Sequence, residues 1–208
     1  MDAFASYHGF GDYTPLALVL LEETIGWLNT CTVPYTLISG TLLGHQRHHG
    51  HFIPWDDDMD LLVESTIVQH SPPLSSNLVM ISFHDYYKIF FRHQGIPITR
   101  KNGAQYRWPY IDLFPYVQLP DKEPKIRFFQ KNWDEARMFP SQEAPFYHLT
   151  VSIPRDPHYF LSRNYGSDYQ TKLVSSNWNH KKEEAISPQQ TTTMDAYKIY
   201  VALHSYNI

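Results

Sequence analysis

With one cysteine in 208 residues, Cys31, the chain can form no intramolecular disulfide and no thiolate-based metal site. Long apolar runs are missing as well. The longest, Leu16 to Leu21, falls far short of the roughly 20 residues a membrane-crossing helix needs. No Asn-x-Ser/Thr sequon occurs, and no basic segment leads into an apolar one as a secretory signal requires. These absences set the expectation of a soluble, cytoplasmic protein without a membrane span. A Golgi or secretory setting stays open if an N-terminal anchor has been removed. Charge is sparse, with 18% Asp, Glu, Lys and Arg and a net charge of -4, so no nucleic-acid partner is expected. Repeats and low-complexity segments are absent too. Aromatic residues are what the chain has in quantity. Its 15 Tyr, 12 Phe and 5 Trp would line a pocket or fill an aromatic core. The length fits one domain over residues 1–208.

Leu16, Val19, Leu20, Ile25 and Leu28 recur at near-helical spacing behind Pro15, which predicts a helix over Pro15 to Asn29. Tyr35 to Ser39, between Pro34 and Gly40, has the punctuation of a buried strand that ends in a tight turn. In the next strand Met59, Leu61 and Val63 should face the core, with Asp58 and Asp60 on the other face. Further strands are expected at Leu78 to Phe83, Tyr87 to Arg92 and Tyr110 to Val117. Helices are expected at Pro157 to Tyr165, ended by Gly166, and at Thr193 to Ser205. Ser71 to Asn77, Pro120 to Lys125 and Lys181 to Gln190 have the composition of surface loops.

Asp56, Asp57, Asp58 and Asp60 place four carboxylates within five residues, a costly arrangement unless a cation compensates it. Side chains two apart on a strand share a face at roughly 6 to 7 Å, so Asp58 and Asp60 could grip one hard divalent ion or bracket a pair. Mg²⁺ suits them, with Mn²⁺ as the alternative, because it takes oxygen ligands and is completed by substrate phosphates. Upstream, Ser39, Gly40 and Thr41 form a turn whose amides and hydroxyl could hold phosphate oxygens at a helix start. A third carboxylate from a neighbouring strand would complete the group. Asp112, inside the apolar run Tyr110 to Phe114, is the candidate, either as a further ligand or as the base for an attacking hydroxyl.

Gly40-Thr41-Leu42-Leu43-Gly44, Arg47-His48-His49-Gly50 and Phe52-Ile53-Pro54-Trp55-Asp56-Asp57-Asp58-Met59-Asp60 together resemble the signature of the LicD family. That family includes bacterial phosphocholine transferases, fukutin and fukutin-related protein. Ile111-Asp112-Leu113-Phe114-Pro115 is similar to the family's later acidic strand, and Tyr165-Gly166-Ser167-Asp168-Tyr169 to an element near the domain end. The resemblance implies an α/β (α+β) fold: a nucleotidyltransferase-like mixed sheet flanked by helices, with additional C-terminal helices. It further implies transfer of a phospho-alcohol from a CDP-linked donor to an acceptor hydroxyl on a glycan or small molecule.

Carried over by position, the resemblance makes Asp58, Asp60 and Asp112 the catalytic, metal-holding set. Asp56 is a second-choice ligand, and Asp57 is expected to point away as a cap or outer group. Ser39, Gly40 and Thr41 become the phosphate-side turn, and Arg47 either a phosphate clamp or an ion-pair partner of the acidic run. His48 is placed near the donor phosphates, where negative charge would favour its imidazolium, or is simply exposed. Zinc at His45, His48, His49 and His51 is the weaker alternative, because the spacing matches no recognised tetrahedral pattern. Trp55, with Tyr106, Trp108, Tyr110 and Trp178, either cages a quaternary ammonium or belongs to the core. Tyr165 and Asp168 either bound the nucleotide or form a helix end with Gly166 as its cap. A nucleotidyltransferase proper, using the same acidic triad, and a binding module that has lost catalysis remain as competing readings.

Overall fold

The computed structural model describes Phe4 and residues 9–119, 125–186 and 188–204. Helix α1 (Thr14–Thr30) starts on Pro15 in its first turn, as a ring without an N–H favours. Beyond its end, Thr32 takes a left-handed φ of 55°. Its buried face is Ala17, Leu18, Leu20, Leu21, Thr24, Ile25, Trp27 and Leu28, whereas Val19 of the expected stripe is exposed. That face packs over the central strands of the main sheet.

The sheet runs in the order β1 (Tyr35–Leu37), β2 (Met59–Glu64), β7 (Tyr110–Leu119), β4 (Tyr87–Phe91) and β3 (Leu78–Ser82). Strands β2 and β7 are parallel and the other neighbours antiparallel. Beyond residue 116, β7 also pairs with β8 (Lys125–Phe128), which pairs in turn with β9 (Lys131–Asp134). Leu61, Leu62 and Val63 are all fully buried, so both faces of β2 are covered and Leu62 belongs to the core, contrary to one-sided alternation. Asp60 shares its face with Leu62 but lies at the end of the strand, where that face opens to a cavity.

Strand β1 stops at Leu37, two residues before the expected end. Extended Ile38 then precedes helix α2 (Ser39–Arg47), whose first residue, Ser39, has a φ of 49°. The switch is tight because Ile38 still donates its N–H to the Asp60 carbonyl at 3.2 Å, tying the helix start to the start of β2. A Cβ on Gly44 would meet the His51 carbonyl at 2.6 Å, so only glycine lets α2 lie this close to the segment leading into the acidic run.

Around this core lie the hairpins β5 (Ile96–Thr99)/β6 (Gln105–Trp108) and β10 (Gln142–Phe146)/β11 (Leu149–Ile153), and a short helix α3 (Glu135–Met138). Helix α4 (Pro157–Tyr165) has Asp156 accepting the Tyr159 N–H at 2.9 Å, Pro157 in its first turn and Gly166 after its end at φ 94°. Strands β12 (Lys172–Val174) and β15 (Thr191–Thr193) pair around β13 (Trp178–Asn179) and β14 (Glu184–Ala185). Helix α5 (Met194–His204) follows. Of the expected loops, Ser71 to Asn77 carries no helix or strand, 181–190 contains β14, and of 120–125 only Lys125 is described, in β8. Ser205 of the expected last helix lies outside the described residues. The buried apolar side chains form one contiguous cluster from Phe10 to Leu173, joined by Phe4.

Candidate active site

The parallel register of β2 and β7 sets Asp60 opposite Asp112, and the antiparallel register of β7 and β4 sets Asp112 opposite Lys88. Three strands thus carry acid, acid and ammonium in a row. Asp58 lies one residue before β2 rather than on it. Even so, ligand atoms of Asp58, Asp60 and Asp112 fall within 4.8 Å of one another, the one such group of His, Cys, Asp or Glu among the described residues. Two oxygens on opposite sides of a magnesium ion are about 4.2 Å apart, so these carboxylates fit that ion with a small adjustment. Asp112 is on a central strand and not an edge, and it is 7% exposed. Its burial is offset by Lys88, whose Nζ donates to Oδ1 at 2.7 Å and to Oδ2 at 2.9 Å.

The electrostatics are those of a site short of positive charge. Burial, then Asp58, Asp112 and Asp56, push Asp60 well above the usual carboxylate range, with Lys88 opposing. Burial and Asp58 do the same to Asp56. Asp112 rises to about 6 through burial, held back by Lys88.

A second buried group holds the acidic loop in shape. Asp57, fully buried, accepts the backbone N–H groups of His180 and Lys181 at 3.0 and 3.2 Å, and faces His180 Nδ1 at 2.7 Å. This is the outer, capping place expected of it. The other ring nitrogen of His180 lies 3.3 Å from Asp58 Oδ2. Burial pulls the imidazole down, but the Asp57 hydrogen bond and the Asp58 charge outweigh it and raise His180 to about 9. At neutral pH His180 is therefore a cation between two of the carboxylates.

Asp56, Asp58 and Asp60 face a cavity of about 390 Å³, which Ser39, Gly40, Arg47, Trp55, Tyr165, Tyr169 and His180 also line. Arg47 Nη1 donates to the carbonyls of Tyr169 and Lys172, both at 3.0 Å, so it ties α2 to the chain beyond α4. Burial lowers it only to about 10, which leaves it cationic on the cavity wall. The Trp55 ring is held by Nε1 donating to the Val174 carbonyl at 2.9 Å. Burial first, and then Asp60, Asp56 and Asp58, hold the Tyr165 hydroxyl in its protonated form.

Three expected residues stand elsewhere. The Thr41 hydroxyl accepts the Asp60 N–H at 2.8 Å, so it orders the start of β2 and does not line the cavity. His48 lies edge-on to Trp55 and accepts from Arg47 Nε at 3.2 Å. Burial lowers it to about 4, so it is neutral and not the imidazolium expected beside phosphates. Asp168 is exposed beyond Gly166, its carbonyl accepting the N–H groups of Thr171 and Lys172. Of the five aromatic residues expected as a possible ammonium cage, Tyr106 and Tyr110 surround Lys88 and Trp108 is fully buried with Nε1 on the Asp57 carbonyl at 2.6 Å, whereas Trp55 lines the cavity. Among the described residues, His45, His48, His49 and His51 form no ligand group.

Lys88 and His180 escaped the reading of the sequence. Lys88 carries the same signal that singled out Asp112, a charge inside an apolar run, here Tyr87-Lys88-Ile89-Phe90-Phe91. His180 carries none, sitting in a polar segment 123 residues from Asp57.

A Cβ on Gly40 would overlap Asp56 Oδ2, so the carboxylate rests against the first turn of α2, whose N–H groups favour negative charge. Gly40→Ala should displace that carboxylate while gaining up to about 1 kcal/mol of helix propensity. Its melting temperature is expected within about 4 °C of wild type, with affinity for any nucleotide the cavity accepts weakened at least about tenfold, the scale of moving a group that orients a ligand set. Unchanged binding by titration calorimetry would show that this contact is incidental.

A mixed sheet that presents paired carboxylates at a strand end, beneath a helix start and a cavity, is the architecture of a nucleotidyltransferase-type domain. Residues 32–156 match the family model described as LicD/FKTN/FKRP, nucleotidyltransferase domain, and the chain belongs to that family, a family of phosphotransferases. An uncharacterized protein of Rickettsia prowazekii is 28% identical over 151 residues, covering 70% of this chain and 52% of its own. Another, of Rickettsia typhi, is 28% identical over 150 residues, covering 70% and 44%. The chain spans about half the length of the curated relatives it matches. All the clustered carboxylates lie inside the family match, whereas Tyr165, Tyr169 and His180 lie beyond it. No helix among the described residues is long and apolar enough to cross a membrane.

Proposed function

We propose that this chain is a Mg²⁺-dependent transferase that moves a phospho-alcohol, phosphocholine-like or a polyol phosphate, from a CDP-activated donor to an acceptor hydroxyl. The observation that carries this reading is the convergence of Asp58, Asp60 and Asp112 beside a cavity that begins at the N-terminus of α2. Asp58 and Asp60 would hold the ion, with Asp56 and Asp112 within reach. When bound, Mg²⁺ (or Mn²⁺) neutralises charge on the donor diphosphate and the departing nucleotide.

The chain's own groups do the rest. The amides at the start of α2 and the charge of Arg47 attract phosphate oxygens, and Trp55 and Tyr165 offer flat walls to the cytosine. Asp112, its orientation set by Lys88, accepts the proton of the acceptor hydroxyl. A base near pH 6 is close to the optimum for this work at neutral pH. The new bond forms between the acceptor oxygen and the phosphorus that bears the alcohol. The bond from that phosphorus to the bridging oxygen breaks, and CMP leaves with the electron pair.

Thermal melting with CDP-choline, CDP-ribitol, CDP-glycerol and CTP, each with and without Mg²⁺, tests the reading. A CDP conjugate at a hundred times its Kd adds about 2.7 kcal/mol, an expected rise of roughly 5–10 °C for a chain of this length, and only with the metal present. Release of pyrophosphate in place of CMP would move the chain to nucleotidyl transfer. No shift with any nucleotide would favour a binding module without catalysis.

A further inference from the structure

Lys88 is one of the few buried charged residues, its side chain 3% exposed, and no step so far requires an ammonium there except to orient Asp112. Its surroundings are built for a cation. Nζ lies 3.3 Å from the centroid of the Tyr110 ring and 5.4 to 5.6 Å from those of Tyr86, Tyr106 and Phe83. Aromatic faces attract positive charge. Tyr110 is itself anchored, its hydroxyl donating to Glu183 at 3.0 Å, and Arg100 meets the other Glu183 oxygen at 3.4 Å. The register Lys88↔Asp112 fixes the partner from below, and both Asp112 oxygens accept from the same Nζ.

That double contact bears on metal stoichiometry. A two-ion centre sets its cations about 3.5–4 Å apart and needs carboxylates on both. Asp58 and Asp60 suffice for one ion. Asp56 rests against the first turn of α2, so a second ion would draw on Asp112, at oxygens already 2.7 and 2.9 Å from an ammonium, and would meet that charge at close range. We propose that Lys88 is the resident second cation of this centre, so that the chain works with a single divalent ion on Asp58 and Asp60. Lys88 is a positioning residue in this scheme. It keeps Asp112 out of metal coordination and aimed at the acceptor hydroxyl. The inference rests on the metal-dependent reading above and adds to it the number of ions.

The test is anomalous diffraction from crystals grown with Mn²⁺ and CDP. Wild type should show one Mn²⁺ peak per chain, on Asp58 and Asp60, with Asp112 still on Lys88. Lys88→Met should show two, the second against Asp112, and the double variant Lys88→Met/Asp112→Asn should return to one. Two peaks in wild type, or a single peak in Lys88→Met, would overturn the proposal while leaving metal dependence intact. No Mn²⁺ in any of the three would overturn both. If Lys88→Met does not fold, electron paramagnetic resonance titration of wild type with Mn²⁺ and CDP decides: one equivalent supports the proposal and two refute it.

Discussion

Asp60→Asn is expected to melt at a higher temperature than wild type when metal is removed with a chelator at pH 7 to 8, and to have lost turnover. The reason is the raised proton affinity of Asp60, caused by burial and by Asp58, Asp112 and Asp56. A carboxyl raised in the folded state contributes stability that is present below the ordinary carboxylate range and is lost as pH rises through the folded value. In wild type without metal, ionising Asp60 and Asp56 therefore works against folding. Asparagine keeps the shape and removes one charge. The advantage of the variant should shrink as pH falls toward 4, because wild type then takes up the proton. Mg²⁺ should raise the melting temperature of wild type and leave the variant almost unmoved. Turnover should fall by about 10²–10³-fold or more, the scale of deleting one preorganised electrostatic group. Melting curves at pH 4, 6 and 8, with chelator and with Mg²⁺, supply the measurement. A variant less stable than wild type at pH 8 in chelator would mean that the acidic cluster is already compensated from within.

The second large effect belongs to Lys88. Lys88→Met keeps the length of the side chain and removes its charge, leaving Asp112 buried with no ammonium. Breaking a buried pair from one side costs about 3–5 kcal/mol, roughly 6–20 °C of melting temperature for a protein of this size. Asp112→Asn alone should also destabilise, by orphaning the ammonium. The double variant should lose less than the sum of the two single losses, because neither charge is then buried alone, with a coupling between the sites of order 1–3 kcal/mol. Urea denaturation of all four proteins closes the cycle. Additive losses would show that the two side chains act independently, against the 2.7 Å contact between them.

Several parts of the fold could be read directly because their causes are local. Pro157 in a first turn and Gly166 at a left-handed end mark both ends of α4, and Asp156 caps its start. The apolar runs became β3, β4 and β7 with their ends moved by two residues or fewer. Strands β10 to β15 went unread: β12 to β15 are two or three residues long, too short to show a period, although Leu149, Val151 and Ile153 of β11 do alternate with Thr150 and Ser152. Thr41 and His48 were assigned to the cavity because they flank residues that do line it. Thr41 is one helical step of about 100° past Gly40 and turns onto the Asp60 amide, and His48, just after the end of α2, turns against Trp55.

The amino-acid sequence by itself determined that positive charge would be needed around Asp56 to Asp60, because so many carboxylates at that spacing repel one another wherever the chain puts them. It also determined the family, through the three motif segments between Gly40 and Asp60. Only the tertiary structure decided which charges answer that repulsion. Lys88 reaches Asp112 through strand register, and His180 reaches Asp57 and Asp58 through a turn near the far end of the chain. Neither pairing has a local cause. Each exists because burial makes an unpartnered charge so costly that the fold must bring it a counter-charge, from whatever distance along the chain.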